Sequence, residues 1–110
     1  MKSFFLVALI FMVVACNKDD IAKGTPKCIK NDIKDFEKSA CDKGANVKKY
    51  IYQSKDVYVF YPGTCGADMT SEVLDEDCNS LGYLGGLTGN TTINGGDFGN
   101  ATYKETVWEN

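Results

Sequence analysis

Cysteine and acidic side chains are the residues of this chain that could do chemistry, because its sequence contains no histidine. A serine or cysteine nucleophile would therefore lack the usual base. The five cysteines are scattered and none has a CxxC spacing, so a structural zinc site would have to gather thiolates from distant segments. We predict no catalytic residue, no metal and no cofactor. The cysteines are Cys16, Cys28, Cys41, Cys65 and Cys78.

One acidic segment copies the start of a calcium-binding loop. Asp75, Asp77 and Asn79 have the spacing of the first EF-hand ligands. However, Ser80 stands where that loop needs glycine, and Gly86 stands where it needs glutamate. The acidic end of a strand is the better interpretation. An enzyme using these carboxylates is kept as a third hypothesis, although nothing in the sequence places them in a cleft.

The first fifteen residues have the features of an export signal. A short positive start precedes the apolar run at residues 4–14, which is too short to cross a bilayer as a helix. Residues 13–16 (VVAC) resemble the lipobox of bacterial lipoproteins. The resemblance implies that Cys16 becomes the first residue of the mature chain and anchors it to the membrane through lipid. The alternative is an ordinary secretory signal in which Cys16 is incidental.

Residues 16–25 are predicted to be the lipidated cysteine and a flexible tether, because they are polar and lack periodicity. Residues 16–20 (CNKDD) resemble the surface-export signal of lipoproteins in one group of Gram-negative bacteria. The resemblance implies an outer-membrane lipoprotein displayed at the cell surface. A periplasm-facing anchor is the alternative.

Residues 26–110 are predicted to be one small α+β domain, beginning with a helix. Thr25 is expected as its N-cap and Pro26 as its first residue, and Gly44 can end it. The helix has one apolar stripe with the spacing that predicts packing on a sheet. The stripe consists of Ile29, Ile33, Phe36 and Ala40.

A β-hairpin is predicted at residues 47–53 and 57–61, which are rich in β-branched and aromatic residues. With Ser54 and Lys55 as a two-residue loop, Tyr52 would face Val57. Both faces of this hairpin carry apolar side chains, so both need cover, and the helix can cover only one. The two sides are Tyr50, Tyr52, Val57 and Val59 on one, and Ile51, Tyr58 and Phe60 on the other.

The remaining segments complete the predicted sheet and cover its second face. Residues 72–77 are a short third strand with Val73 inward, and the glycine-rich residues 82–99 form an ordered loop over the second face. Residues 101–108 are a final strand with Tyr103 and Val107 on one side and Trp108 on the other. The predicted fold is one N-terminal helix packed on a small antiparallel β-meander, with a glycine-rich C-terminal loop, a final strand and two disulfides.

Four cysteines remain after Cys16, an even number that suits an oxidising compartment and a domain too small for a large core. The helix and the strands alternate in direction. The end of the second strand therefore lies near Cys41, and the end of the third strand lies near Cys28. We predict the disulfides Cys41–Cys65 and Cys28–Cys78.

The charge pattern argues against nucleic acid as a partner. All twelve basic residues are lysines, and the net charge of the chain is −3. An acidic chain without arginine has a poor composition for binding phosphate backbones. The partners we expect are the membrane, through the lipid, and an unknown protein or glycan.

The tyrosines are the remaining binding candidates, because tyrosine is favoured at binding surfaces. Half-buried sheet positions are the alternative for all of them. The predicted binding residues are Tyr50, Tyr52, Tyr58 and Tyr61.

The chain as a whole resembles a domain-of-unknown-function family of small bacterial outer-membrane lipoproteins. The resemblance spans about residues 26–108 and is most specific at residues 57–68 (VYVFYPGTCGAD) and 78–86 (CNSLGYLGG). It implies no activity. We predict a lipid-anchored envelope binding module that is not an enzyme. The alternative is a small disulfide-stabilised hydrolase inhibitor acting through the loop at residues 82–90.

Overall fold

The computed structural model describes residues 20–110. The predicted signal peptide at residues 1–15, the lipidation site Cys16 and residues 17–19 of the tether lie outside the described residues. Within the described part, no helix is both long enough and apolar enough to cross a membrane.

The described chain forms one helix and a five-stranded antiparallel sheet, with strand order β4-β3-β2-β1-β7. A separate two-stranded hairpin, β5-β6, and a short 3₁₀ helix precede the last strand. The predicted α+β fold is therefore confirmed, although the sequence did not reveal that β4 is an edge strand. The elements are α1 (Lys27–Ser39), β1 (Asn46–Tyr52), β2 (Lys55–Tyr61), β3 (Thr70–Asp75), β4 (Ser80–Gly85), β5 (Thr92–Ile93), β6 (Gly96–Asp97), the 3₁₀ helix (Phe98–Asn100) and β7 (Thr102–Glu109).

The two faces of the sheet carry separate apolar clusters, as alternating side chains require. On the first, which we call the helix face, Ile29 and Ile33 of α1 are fully buried against the sheet. On the second, the loop face, Ile93 and Phe98 cover the sheet. The prediction that the helix covers one face is confirmed. The predicted loop at residues 82–99 covers the other face only with its later residues, because residues 82–85 belong to β4 and so to the sheet itself. The sheet residues beneath are Val47, Tyr58, Phe60, Leu74, Val107 and Trp108 on the helix face, and Tyr52, Val57, Val59 and Val73 on the loop face.

The ends of α1 differ from the prediction. Thr25 is not the N-cap, because its hydroxyl donates to the Ala22 carbonyl at 2.6 Å. Pro26 takes the N-cap position and its carbonyl accepts the Lys30 N–H at 3.0 Å. The helix stops at Ser39 because the next residue is extended, so Gly44, with φ +83°, belongs to the following turn.

The predicted flexible tether is shorter than expected. Ile21 and Ala22 pack against the helix-face core, and the Ala22 N–H donates to the Val107 carbonyl at 2.9 Å. Thr25 is buried. Residues 21–25 are thus part of the fold, because Ile21 and Ala22 find apolar partners beside β7.

The hairpin turn lies one residue earlier than predicted. Gln53 and Ser54 both have positive φ, 51° and 66°, as a tight two-residue hairpin turn requires. Tyr52 therefore pairs with Lys55, not with Val57, and Tyr50 pairs with Val57. The pairing is displaced by two residues, and an even displacement leaves every side chain on its predicted face.

Strand β7 contradicts the predicted alternation of its side chains. Two irregularities in its pairing with β1 shift the register. As a result Val107 and Trp108 both enter the helix-face core, while Tyr103 packs against Tyr50 on the loop face. The prediction that Tyr103 and Val107 share a side was wrong because a β-bulge resets the period of two.

Both predicted disulfides are confirmed. Cys28 is joined to Cys78 with a Cα–Cα distance of 6.1 Å, and Cys41 to Cys65 with one of 5.7 Å. Cys28 lies in the first turn of α1 and Cys41 lies just after its end, whereas Cys65 precedes β3 and Cys78 follows it. Each end of the helix is therefore covalently tied to the connection at one end of β3.

Candidate binding groove

An open groove of about 330 Å³ lies on the helix face, between α1 and the β3–β4 pair. It exists because one helix cannot cover a five-stranded sheet, and the β4 side of the face is left open. We call it the helix groove. It is lined by Asp32, Asp35, Phe36, Ser39, Phe60, Thr70, Glu72, Leu74 and Tyr83.

The floor of the helix groove is apolar. The Phe36 ring meets the Phe60 ring edge-to-face, with centroids 5.2 Å apart. Phe60 and Leu74 are buried members of the helix-face core. A side chain entering the groove would therefore contact well-packed aromatic and aliphatic surface.

The walls of the helix groove are acidic. Asp32 and Asp35 line it from the helix, and Glu72 lines it from β3. Among the described residues that line the groove, none is basic. The exposed lysines of the helix follow a different flank of its surface, as the 3.6-residue period dictates. They are Lys27, Lys30, Lys34 and Lys38.

Two groups that line the groove, Asp32 and Tyr83, have raised pKa values. Burial raises the pKa of Asp32, and the charges of Asp35 and Glu72 raise it further. A hydrogen bond to the Glu72 carboxylate, together with the charge of that group, raises the pKa of Tyr83. Lys38 reaches Asp35 at 3.9 Å, but both side chains are exposed and such a pair contributes little. The groove therefore carries negative charge that its own lining does not neutralise.

Two of the four predicted binding tyrosines are buried in the sheet. Tyr58 is 1% exposed and Tyr52 is 4% exposed, so no partner can contact them on the surface, and their prediction as binding residues was wrong. Burial raises the pKa of Tyr58 to about 12. The Tyr52 hydroxyl donates to the Ile93 carbonyl at 2.7 Å. Each ring packs in one of the two apolar clusters, because the sheet is covered on both faces.

The other two predicted binding tyrosines, Tyr50 and Tyr61, are half-buried. The Tyr50 ring packs between Phe98 and Tyr103, with centroid distances of 5.3 and 5.8 Å. Tyr61 is the last residue of β2. Their role in binding stays a prediction, and neither of them lines the helix groove.

The sequence reasoning missed the aromatic residue of the groove. Tyr83 is 52% exposed and stands directly opposite Glu72 across the β3–β4 pair. The apolar residues Leu81 and Leu84 around it could have suggested a strand, but the neighbouring glycines indicated a loop. Asp32 and Asp35 were missed as well, because a position on the flank of a helix does not reveal which strand lies beside it.

A second feature lies at the far end of β4, where residues 85–90 form a closed turn that we call the glycine loop. Gly85 and Asn90 exchange backbone hydrogen bonds of 2.9 and 3.0 Å, and the Gly89 N–H donates to the Gly86 carbonyl. The Asn90 amide also donates to the Tyr83 carbonyl at 2.6 Å. This framework holds Leu87, which is 84% exposed, at the tip of the loop.

A cleft of about 550 Å³ lies on the loop face beside the glycine loop, between Tyr50, Leu84 and Phe98. Two of the polar side chains that line this cleft are already hydrogen-bonded to nearby backbone groups. The Asn90 amide donates to the carbonyls of Tyr83 and Thr92, and the Asp97 carboxylate accepts the Gly99 N–H at 2.9 Å. The loop-face cleft therefore offers fewer free groups for recognition than the helix groove.

The acidic turn after β3 is closed on itself. The strand ends at Asp75, two residues before the end of the predicted third strand at residues 72–77, so Asp75 is an acidic strand end and Asp77 lies in the turn. The Asp75 carboxylate accepts the N–H groups of Asp77 and Asn79, each at 2.9 Å, and the Asn79 amide at 3.2 Å. Burial alone would raise the pKa of Asp75, but these hydrogen bonds outweigh it and lower the pKa. Among residues 20–110, no group of three or more acidic or cysteine side chains is placed to hold a metal ion.

Comparison with known proteins places most of the described chain in one family. Residues 33–110 match the family model described as "Domain of unknown function (DUF6970)". No curated protein matches the chain, and no solved structure matches it.

Proposed function

The chain belongs to the family of the domain of unknown function DUF6970, and from this premise we propose that it is a lipid-anchored envelope lipoprotein that binds a partner through the helix groove. In this proposal the protein is a binding module and not an enzyme. The observation that carries it is the pair of disulfides that frame the groove.

These crosslinks support binding because they hold the groove open in one geometry. One disulfide fixes the start of α1 to the end of β3, and the other fixes the segment after α1 to the segment before β3. The helix therefore cannot move across the exposed side of the sheet. A preformed site avoids the loss of conformational freedom that would otherwise oppose binding.

The composition of the helix groove also favours recognition. Binding sites combine an apolar surface with a few polar groups that orient the ligand. Here Phe60 and Leu74 provide the apolar surface. Asp32, Glu72 and the exposed Tyr83 provide the polar groups.

The membrane location rests on the N-terminal sequence and on the cysteines. Residues 13–16 resemble a lipobox, and all four cysteines after Cys16 are paired in disulfides, as suits an exported protein. Since Ile21 already packs on the fold, four residues, 17–20, would separate it from the lipidated Cys16. They span roughly 15 Å when extended, so the domain would lie close to the bilayer. The resemblance of residues 16–20 to an export signal favours display at the cell surface.

A crosslinking pull-down from intact cells tests the proposed function. The wild-type protein is compared with Cys16→Ala, which removes the lipid anchor, and with Tyr83→Ala, which alters the helix groove. Tyr103→Ala is the matched control, because Tyr103 has the same 52% exposure but lies on the loop face. We expect a partner that Tyr83→Ala loses and Tyr103→Ala retains, and membrane release of Cys16→Ala. Equal capture by both tyrosine variants would contradict binding through the groove.

A second function, inhibition of a hydrolase, is favoured by the exposure of Leu87 at the tip of the glycine loop. A protruding apolar side chain on a hydrogen-bonded turn can enter an active-site cleft without ordering the loop first. The test is a panel of hydrolases assayed with the wild type, Leu87→Ala and the neighbouring control Thr88→Ala. Inhibition that only Leu87→Ala abolishes would favour this function over the first.

A further inference from the structure

We infer that the partner segment bound in the helix groove is a basic peptide in which arginine stands beside an apolar side chain. This inference rests on the proposed function and names the chemistry of its ligand. It follows from the charge, the floor and the aromatic wall of the groove.

The charge of the groove selects a cationic partner. Carboxylates stand on both walls, with Asp32 and Asp35 on the helix and Glu72 on β3, and no basic residue lines the space between them. A guanidinium placed there would meet carboxylates from two directions, and charge-assisted hydrogen bonds are the strongest kind in proteins. The mutual repulsion of these carboxylates would fall when such a cation binds.

The floor of the groove requires that the cation be accompanied by apolar surface. Phe36, Phe60 and Leu74 lie beneath the acidic walls. The open volume of about 330 Å³ is at the small end of the range for ligand sites, which suits a short peptide segment. An arginine presents its aliphatic stem to such a floor while its charged end stays at the rim.

Tyr83 favours arginine over lysine. Its ring is 52% exposed at the groove, and Tyr83 is paired with Glu72 across the two strands, which places the ring beside that carboxylate. A planar guanidinium can stack on the ring and donate to the carboxylate at the same time, whereas an ammonium offers only a point charge. The arginine must come from another protein, because this chain contains twelve lysines and no arginine.

The test uses the mature full-length protein and a fluorescent peptide of alternating leucine and arginine, with binding followed by fluorescence anisotropy. In the control peptide each arginine is replaced by citrulline, a neutral isostere. In a third peptide each arginine is replaced by lysine. We expect the arginine peptide to bind best, the lysine peptide to bind more weakly and the citrulline peptide to bind at least about tenfold more weakly than arginine. Equal binding of the arginine and citrulline peptides, or no binding of either, would overturn the inference.

The matched protein variants locate the site. Asp32→Asn with Glu72→Gln removes charge from both walls, and we expect it to weaken arginine-peptide binding about tenfold or more. The control, Glu76→Gln with Asp77→Asn, removes the same charge from exposed residues outside the groove. Circular dichroism and the Tm confirm that both variants fold. Equal weakening by the two variants would contradict a site in the groove and indicate a general charge effect.

The pull-down separates this inference from the proposed function. A cellular partner that Tyr83→Ala loses but Asp32→Asn with Glu72→Gln retains would overturn the inference that the ligand is basic. The groove would still be the binding site. A partner retained by both variants would overturn binding through the groove, and with it this inference. The inference would also be overturned if the protein self-associated in a salt-sensitive way and did not bind the arginine peptide. That result would indicate that lysines of a second copy occupy the groove.

Discussion

Glu72 of β3 and Tyr83 of β4 are directly paired across the two strands, and the Glu72 carboxylate raises the pKa of the tyrosine hydroxyl. Both side chains line the helix groove. The contact joins a charged residue of an inner strand to an aromatic residue of the edge strand. The pairing therefore places a carboxylate beside the most exposed ring in the groove.

The first prediction concerns the ionisation of Tyr83. In Glu72→Gln the carboxylate that raises the pKa of Tyr83 is gone, so that pKa should fall towards its ordinary value. Ultraviolet titration of the tyrosines measures the change, with Tyr83→Phe identifying its contribution to the curve. Glu76→Gln is the control and should leave that contribution in place. An unchanged titration curve in Glu72→Gln would contradict the influence of the Glu72 carboxylate on the pKa of Tyr83.

The second prediction concerns the pH dependence of stability through Asp32. Because its pKa is raised in the folded state, Asp32 favours folding when protonated, and this contribution is lost as the pH rises through the raised pKa. Asp32→Asn should therefore be more stable than the wild type at neutral pH and equally stable below the ordinary pKa of an aspartate. Urea unfolding across this range measures the difference. Asp42→Asn, at an exposed position outside the groove, is the matched control, and a parallel pH profile for both variants would contradict the prediction.

The third prediction concerns Gly63, which lies against the Cys41–Cys65 disulfide. Its φ is +100°, and an added Cβ would stand 2.8 Å from Cys41 Cβ and 3.0 Å from the Lys43 carbonyl oxygen. Gly63→Ala should therefore lose stability, by about 1–2 kcal/mol from backbone strain and by a further amount of about 1–3 kcal/mol from overpacking.

Gly44→Ala is the matched control for Gly63→Ala. Its φ is +83°, but an added Cβ would meet nothing within 4 Å, so it should show the backbone contribution alone. Urea unfolding of the oxidised proteins measures both free energies. Equal losses for the two variants would show that Cys41 moves away from the new methyl group without penalty.

The fourth prediction concerns the buried hydroxyl of Tyr52. In Tyr52→Phe the Ile93 carbonyl loses a buried hydrogen bond within the loop-face core, and such a loss costs about 1 kcal/mol. Tyr103→Phe is the control, because its hydroxyl bonds Thr106 at the exposed surface, and it should change stability far less. The two free energies of unfolding are compared in urea. Similar values would mean that water reaches the Ile93 carbonyl.

The fifth prediction concerns the crosslinks that frame the helix groove. Replacing both cysteines of either disulfide by alanine should lower the free energy of unfolding by about 3–4 kcal/mol in the chain-entropy model. The loss should be slightly larger for Cys28–Cys78, whose loop spans 50 residues, than for Cys41–Cys65, whose loop spans 24. Ligand binding should weaken as well, since the ends of α1 are released. Full-strength binding by a folded alanine variant would contradict the role of the disulfides in holding the groove.

The sequence alone was sufficient for those features that depend on local periodicity and on counting. The spacing of Ile29 and Ile33 predicted the buried face of the helix, and the alternation in the hairpin assigned each side chain to its face even though the turn lay one residue away. The number of cysteines after Cys16 and the directions of the elements predicted both disulfides. These features need only short-range geometry, which the order of residues specifies directly.

The tertiary structure decided which of these residues lie at a surface and which surfaces meet. Tyr52 and Tyr58 were candidates for binding until the sheet proved to be covered on both faces. The β-bulges of β7 and the edge position of β4 also depend on long-range pairing. Asp32 and Glu72 are forty residues apart in the chain, and only the packing of α1 beside β3 brings them to one groove. Periodicity states which side chains share a face, but it does not state what covers that face.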